Sequence, residues 1–166
     1  MRSLLALLPI AAMLGAGSPP ETDTNRNPLQ CTVESVHDGD SMRVRCQGNK
    51  PSQRVRIHQI DAPEIDQPYG KKARDILREL CPRGSVVTLA EHSSDQYGRM
   101  LAEVSCGGKN VNREMVASGA AWAYEQHVED PSLLTLQKQA RQNRRGLWAG
   151  KNPQAPWEWR RRQRDR

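Results

Sequence analysis

The run Arg56-Ile57-His58-Gln59-Ile60-Asp61-Ala62-Pro63-Glu64 places an arginine inside an apolar strand that ends in two carboxylates. A second acidic turn, His37-Asp38-Gly39-Asp40-Ser41, precedes it. Carboxylate oxygens suit hard cations such as Ca²⁺, Mg²⁺ or Mn²⁺, and a guanidinium suits phosphate. The pairing points to metal-assisted chemistry on a phosphodiester. Asp40 closes the first turn and Asp61 ends the strand, so pairing of their strands brings both carboxylates to one rim. With a backbone carbonyl and waters they make an oxygen site for Ca²⁺, of low affinity because few protein charges contribute. Glu64, three residues beyond Asp61, is placed to act as a general base on water. Arg56 and Asp61 are five residues apart and face opposite sides of a regular strand. A bend near Asp61 is therefore required, and Pro63 is its expected source.

A second basic element lies further on. Gly98 lets the backbone come close to its neighbours, Arg99 can grip a phosphate with two hydrogen bonds, and Tyr97 can stack on a base. Taken singly, Asp38 and Asp40 are ordinary turn formers, Asp61 a strand cap, Glu64 a solvated loop residue and Arg99 an edge ion pair. Only together do they form a set. His37, His58, His92 and His127 show neither HExxH nor any paired ligand spacing, and no His/Cys cluster for zinc is visible. His58 reads as structural. A GxSxG elbow and a phosphate-cradling glycine loop are both missing from the sequence.

The elements that must hold these residues follow from periodicity. Segments 31–37 and 41–46 alternate apolar and polar around Asp38-Gly39, which predicts a β-hairpin. A third strand, 54–60, stops at Asp61-Ala62-Pro63. Ala73, Ile76, Leu77 and Leu80 fall at helical spacing, ended by Pro82 and Gly84. Strands follow at 85–91 and 99–106 with the polar loop 93–98 between them. A short helix spans 112–118. The last helix has Asp130 as N-cap, Pro131 at its first position and Gly146 as its stop. Five strands with helices inserted and appended give an α+β fold, a small β-barrel decorated by helices.

Bulk properties bound the rest. Residues 1–16 have the layout of a secretory signal peptide, with an uncleaved membrane anchor as the alternative. Residues 17–30 read as a disordered spacer. Residues 31–149 are one domain with an aliphatic core, since the chain contains no Phe. Residues 150–166 form a basic tail rich in Trp and Arg. Net charge is +6, which favours polyanionic partners. Cys31, Cys46, Cys81 and Cys106 all follow the signal segment, and an even set in an exported chain favours disulfides. The expected pairing is Cys31–Cys46 with Cys81–Cys106, because a hairpin turning at Asp38-Gly39 sets Cys31 opposite Cys46. Four buried free thiols are the alternative. A periplasmic or extracellular location is expected, as a monomer without stable membrane association.

Read in order, Asp38-Gly39-Asp40-Ser41, Arg56, Ile60-Asp61-Ala62-Pro63-Glu64, Asp95-Gln96-Tyr97-Gly98-Arg99 and Val111-Asn112 resemble the staphylococcal nuclease family. Arg144-Arg145-Gly146-Leu147-Trp148 is similar to that family's closing helix. The resemblance covers 31–148 and implies a five-stranded OB-fold barrel with three helices. It implies a Ca²⁺-dependent endonuclease acting on DNA and RNA, in which water attacks phosphorus and the 5′-oxygen leaves, giving 3′-phosphate ends. Carried over, Asp40, Asp61 and the Ala62 carbonyl hold calcium. Glu64 is the general base, Arg56 and Arg99 bind the phosphoryl group, and Tyr97 contacts the nucleotide. Ala62 stands where the best-known members have Thr, and the connection 65–68 is shorter than theirs. Two other classes fit the composition: an inactive OB-fold module binding nucleic acid or protein, and a basic protein acting through its tail alone.

Overall fold

The computed structural model describes residues 27–48 and 50–166. The expected signal segment and most of the expected spacer lie outside the described residues. Strand β1 (Leu29–Val36) already begins within the stretch expected to be spacer. It turns through 38–40 into β2 (Ser41–Cys46), with Cys31 directly opposite Cys46. β2 pairs with β3 (Gln53–Ile57), setting Ser41 against Arg56. β1 also pairs with β5 (Val86–Ser94), and β5 with β6 (Met100–Cys106), all antiparallel. The parallel pairing of β3 with β6 then closes a five-stranded barrel. Closure removes both sheet edges, so the ladder is satisfied around the whole circumference.

Alternation makes the core. On β2, Met42, Val44 and Cys46 point inward, and on the facing strands Val55, Ile57, Val87, Leu89 and Val104 do the same. Aliphatic residues fill the barrel without Phe. Helix α1 (Gly70–Leu80) lays Ala73 and Leu77 on one end of it, with Ile76 and Leu80 at the margin. Outside the barrel, the short β4 (Ile60–Asp61) pairs with β8 (Trp122–Ala123), and β7 (Lys109–Asn110) leads into α2 (Val111–Ala117). Helix α3 (Ser132–Gln142) packs on α2. The architecture is α+β with an OB-type barrel.

Several boundaries differ from the sequence expectation. A fourth helix, α4 (Pro156–Arg164), is folded where a basic tail was expected. β5 runs on to Ser94 and takes in the first two residues of the expected polar loop. It bulges between Glu91 and Ser93, leaving His92 as the extra residue. α3 starts one residue after Pro131, while Asp130 still caps it by accepting from the Ser132 N–H at 2.9 Å. After α3 the left-handed residue is Arg144, not Gly146 alone. Gly146 is needed because a Cβ there would meet the Ser118 and Gly119 carbonyls at 2.6 and 2.3 Å.

The cysteines divide. Cys31 and Cys46 are joined across the β1–β2 hairpin. Cys81 and Cys106, expected as a second disulfide, are instead free and buried. Burial pushes the Cys81 thiol up, and its contact with Cys106 pushes the same way. The Cys106 thiol also lies 3.6 Å from Ser85 Oγ. Disulfide formation runs through a thiolate, which this environment disfavours. No helix among the described residues is long and apolar enough to cross a membrane.

Candidate active site

The β1–β2 turn, the β3–β4 turn and the start of α1 meet at one end of the barrel. Arg56 ties them together. Its Nη1 lies 3.1 Å from Asp40 Oδ2 and its Nη2 lies 2.8 Å from Asp61 Oδ1. The same guanidinium donates to the carbonyls of Ile57 and Ile60 at 3.1 and 2.9 Å. That wrap is possible because the chain turns at His58-Gln59, where Gln59 has φ 65°. The required bend thus falls at Gln59, ahead of Pro63. A residue in the left-handed region breaks strand alternation, so Arg56 and Asp61 come to one side.

Asp40 is positioned by its backbone and by Ala62. The Asp40 carbonyl accepts from Ile57 N–H at 2.8 Å, and the Ala62 N–H donates to Asp40 Oδ2. Gly39 allows this approach, since a Cβ there would stand 2.6 Å from Ala62 Cβ. Asp38 is the turn former: its Oδ1 accepts from Asp40 N–H and Ser41 Oγ at 3.1 and 2.8 Å. Burial pushes the Asp40 carboxyl well above the usual carboxylate range against the pull of Arg56, and Asp38 and Asp61 add to the rise. Two crowded carboxylates and the adjacent Ala62 backbone fit a hard cation with oxygen ligands.

Glu64 is half-buried beside them and is fixed by its loop. Its N–H donates to Gln67 Oε1, its carbonyl accepts from Gln67 N–H, and Gln67 Nε2 donates to the Gln154 carbonyl. The short connection from Glu64 to α1 is thus held from both sides by one buried glutamine. Gly70 completes the fit. A Cβ there would lie 1.8 Å from the Glu64 carbonyl oxygen, so α1 can start this close to Glu64 only with glycine.

A residue that sequence reasoning left in the tail enters the site. Arg160 on α4 donates through Nη1 to Asp61 Oδ1 at 3.0 Å and through Nη2 to Asp61 Oδ2 at 2.8 Å. Its Nη1 also donates to Glu64 Oε1 at 2.8 Å. Under Arg56 and Arg160 together, Asp61 has 0% exposure. The helix is anchored beside the site by Trp157, which stacks on Tyr124 at 5.3 Å and 19° and meets Trp122 edge-on at 5.5 Å. Sequence gave one usable signal for this helix, Pro156 at its first position. The run of arginines hid which of them points inward.

These groups border a cleft of about 610 Å³ lined by Asp40, Arg56, Ala62, Glu64, Tyr97 and Arg99, with Arg160 and Arg164 from α4 on its rim. Arg99 stands apart from the carboxylate cluster. Its Nε lies 2.7 Å from Asp95 Oδ2, and its N–H donates to Asp95 Oδ1 at 2.9 Å. Burial opposes it, but hydrogen bonds from Arg99 and Tyr97 hold the Asp95 carboxyl below its usual value. Tyr97 is exposed at the lip, its ring 5.7 Å from the Arg99 guanidinium. Cys31, Cys46, Cys81 and Cys106 lie in the core and do not line the cleft. Tyr124 and His127 border the cleft as well.

The histidines hold a second departure. His58 and His92, expected to have no ligand partner, converge with Glu129. His58 is buried, and burial holds its ring below the ordinary histidine value against the opposing effect of Glu129.

Known proteins similar to this chain include nucleases. The family described as staphylococcal nuclease homologue matches residues 54–150. An Escherichia coli protein named "Uncharacterized endonuclease" is 44% identical over 131 residues, 78% of this chain and 84% of the relative. A Haemophilus influenzae protein of the same name is 40% identical over 158 residues, 95% of this chain and 84% of the relative. The Arabidopsis thaliana protein "Staphylococcal-like nuclease CAN1" is 40% identical over 111 residues, 67% of this chain and 34% of the relative. With a match over more than half its length and the barrel, the Arg56 wrap and the acidic turns in place, this chain belongs to the staphylococcal nuclease homologue family.

Proposed function

We propose that this protein is an exported, Ca²⁺-dependent nuclease that hydrolyses phosphodiester bonds in DNA and RNA, leaving 3′-phosphate ends. The observation that carries the reading is one cleft in which Arg56 joins Asp40 to Asp61, with Glu64 and Arg99 on the same walls. The names of the relatives support the substrate class. The disulfide across the first hairpin supports export to an oxidising compartment.

Asp40, Asp61 and the Ala62 carbonyl would hold the cation. When bound, it supplies positive charge for the phosphate oxygens and favours deprotonation of water. Glu64 takes the proton of the attacking water. The water oxygen bonds to phosphorus, the P–O5′ bond breaks, and the departing 5′-oxygen takes up a proton from water in the open cleft. Arg56 and Arg99 donate to the phosphoryl oxygens as charge builds on them, the step at which such donors contribute most. Tyr97 at the lip meets the neighbouring nucleotide.

Arg160 belongs in this scheme as a positioning residue. Its contact with Glu64 Oε1 engages one carboxylate oxygen and restrains the rotamer of an otherwise half-buried side chain. Its cover over Asp61 also opposes cation entry, because like charges compete for the same oxygens.

The test is incubation of the purified protein with plasmid, single-stranded DNA and RNA, with calcium or with chelator, followed by end-group analysis. Calcium-dependent cleavage leaving 3′-phosphates is expected. Absence of cleavage under all conditions, with nucleic-acid binding retained, would replace the enzyme reading by the inactive-module reading.

A further inference from the structure

We propose that His58, His92 and Glu129 form a second metal site, for a first-row transition ion such as Zn²⁺, distinct in residues and chemistry from the cleft carboxylates. Nε2 of His58 and Nε2 of His92 each lie 3.3 Å from the same oxygen, Glu129 Oε1. Among the described residues this is the one group of three His, Cys, Asp or Glu residues whose ligand atoms lie within 4.8 Å of one another.

The distances are compatible with a metal site as well as with a loose ion pair. Charge-assisted N–H···O⁻ bonds draw in to about 2.7–2.9 Å. Here both histidines stop short of that. Two ligands about 2.0–2.1 Å from a tetrahedral zinc are separated by about 3.3–3.4 Å, the edge of the tetrahedron. Both nitrogens sit at that edge length from the oxygen. Two imidazoles and one carboxylate, with a fourth position open to solvent, match the donor set of open zinc sites and not that of calcium.

The backbone has separate devices for each ligand. His58 sits on the turn created by the left-handed Gln59, and its own N–H donates to the Ala102 carbonyl at 2.9 Å. His92 is the extra residue of the β5 bulge, a feature that re-aims a side chain out of the regular alternation. Glu129 is held through its N–H, which donates to Gln59 Oε1 at 2.8 Å, as does the N–H of Asp130. Gln59, next to one ligand, thus pins the backbone of another. The two imidazoles stack at 4.3 Å and 17°, so the exposed His92 ring must rotate for both nitrogens to face a shared ion.

The experiment uses the full chain, tag-free, treated with chelator and desalted into excess calcium so that the cleft is filled with its own cation. Titration with Co²⁺ is expected to give one equivalent bound, with the intense visible bands of a tetrahedral nitrogen and oxygen site, bleached by Zn²⁺. His92→Ala and Glu129→Gln alter exposed side chains, so folding is checked by circular dichroism and is expected to be retained. Each variant should weaken binding by about a hundredfold and remove the rise in Tm that Zn²⁺ gives the parent. Three results would overturn the proposal: no saturable binding, binding unchanged in both variants, or a thiolate charge-transfer band placing the ion on Cys81 and Cys106.

Discussion

The same stretch of chain builds two polar clusters of opposite character. Arg56, Asp61 and Glu64 belong to the carboxylate cluster; His58, between them, belongs to the histidine cluster. The first is an oxygen set sunk under two guanidinium groups, with Asp40 at 5% and Asp61 at 0% exposure. The second is a nitrogen-rich set whose His92 and Glu129 side chains are about half exposed, at 47% and 57%. Burial decides what each can do. Crowded buried carboxylates need cationic charge in close contact, and this protein supplies it from β3 and from α4. Imidazoles, one buried and one half-exposed, need none, and gain only where their lone pairs have an acceptor of the right softness. One turn at Gln59 serves both, by bringing Arg56 onto Asp61 and by holding the loop that carries Glu129.

The sharpest way to separate them is Glu64→Gln. The amide keeps the shape and can still accept from Arg160, but it takes no proton. Turnover should fall by about 10²–10⁴, while Co²⁺ binding at the histidines stays as in the parent. An unchanged rate in a steady-state cleavage assay would remove Glu64 from its role. Loss of cobalt binding in the same variant would show that the clusters are one site.

Gly70→Ala comes next, because it attacks position and leaves chemistry intact. A Cβ would be forced to within 1.8 Å of the Glu64 carbonyl, so either α1 or the 64–69 connection must shift. Overpacking of this kind costs about 1–3 kcal/mol, and a displaced base costs roughly 10²-fold in rate. Urea denaturation and kcat read the two effects separately. The histidine cluster, of which only His58 borders the cleft, should bind cobalt as before. If Tm and kcat both stay at parent values, the close approach is not needed.

How much of this was legible in the sequence divides along the same line. Asp40, Arg56, Asp61 and Glu64 could be singled out because they stand at or near strand ends and the turns beside them, and local turn chemistry is readable from neighbours a few residues apart. The hairpin at Asp38-Gly39 and the Cys31–Cys46 register follow from the same short-range logic. The histidine cluster was invisible: its members stand at 58, 92 and 129, and only barrel closure and an unforeseen bulge bring them together. Arg160 was hidden differently. It lies 99 positions from Asp61, inside a run of arginines that looks the same whether solvated or docked. The expectation for Cys81 and Cys106 failed because parity in a cysteine count says nothing of whether burial leaves a thiolate to react. The bend was rightly required but assigned to Pro63, since a left-handed glutamine carries no sequence mark.

Arg160→Gln follows in size and tests the cover over the carboxylates. Two effects of opposite sign are expected. Calcium should bind roughly tenfold tighter in a titration without substrate, because a positive charge leaves Asp61. At saturating calcium, kcat should drop by roughly tenfold, because Glu64 loses the contact that holds its rotamer. A rise in kcat would make α4 an obstruction only, and unchanged calcium affinity would mean that the guanidinium moves aside freely. Trp157→Ala provides the partner measurement: losing its stack on Tyr124 should loosen α4 and reproduce the affinity change in weaker form.

His92→Ala is the smallest effect and the most telling one for the comparison. If the clusters are independent, the nuclease rate at saturating calcium should change by no more than about twofold, as for surface substitutions away from a site, while the cobalt bands are lost. His92 does not border the cleft, and its neighbours on the ladder, Glu91 and Ser93, pair with Ala102 and Leu101 without it. The bulge therefore survives the substitution, and only the imidazole is removed. A rate loss of tenfold or more would mean that the charge or packing at His92 reaches Arg56 through His58 and the Gln59 turn. In that case the two clusters would be coupled through the turn they share, and the hard and soft sites would have to be treated as one electrostatic unit.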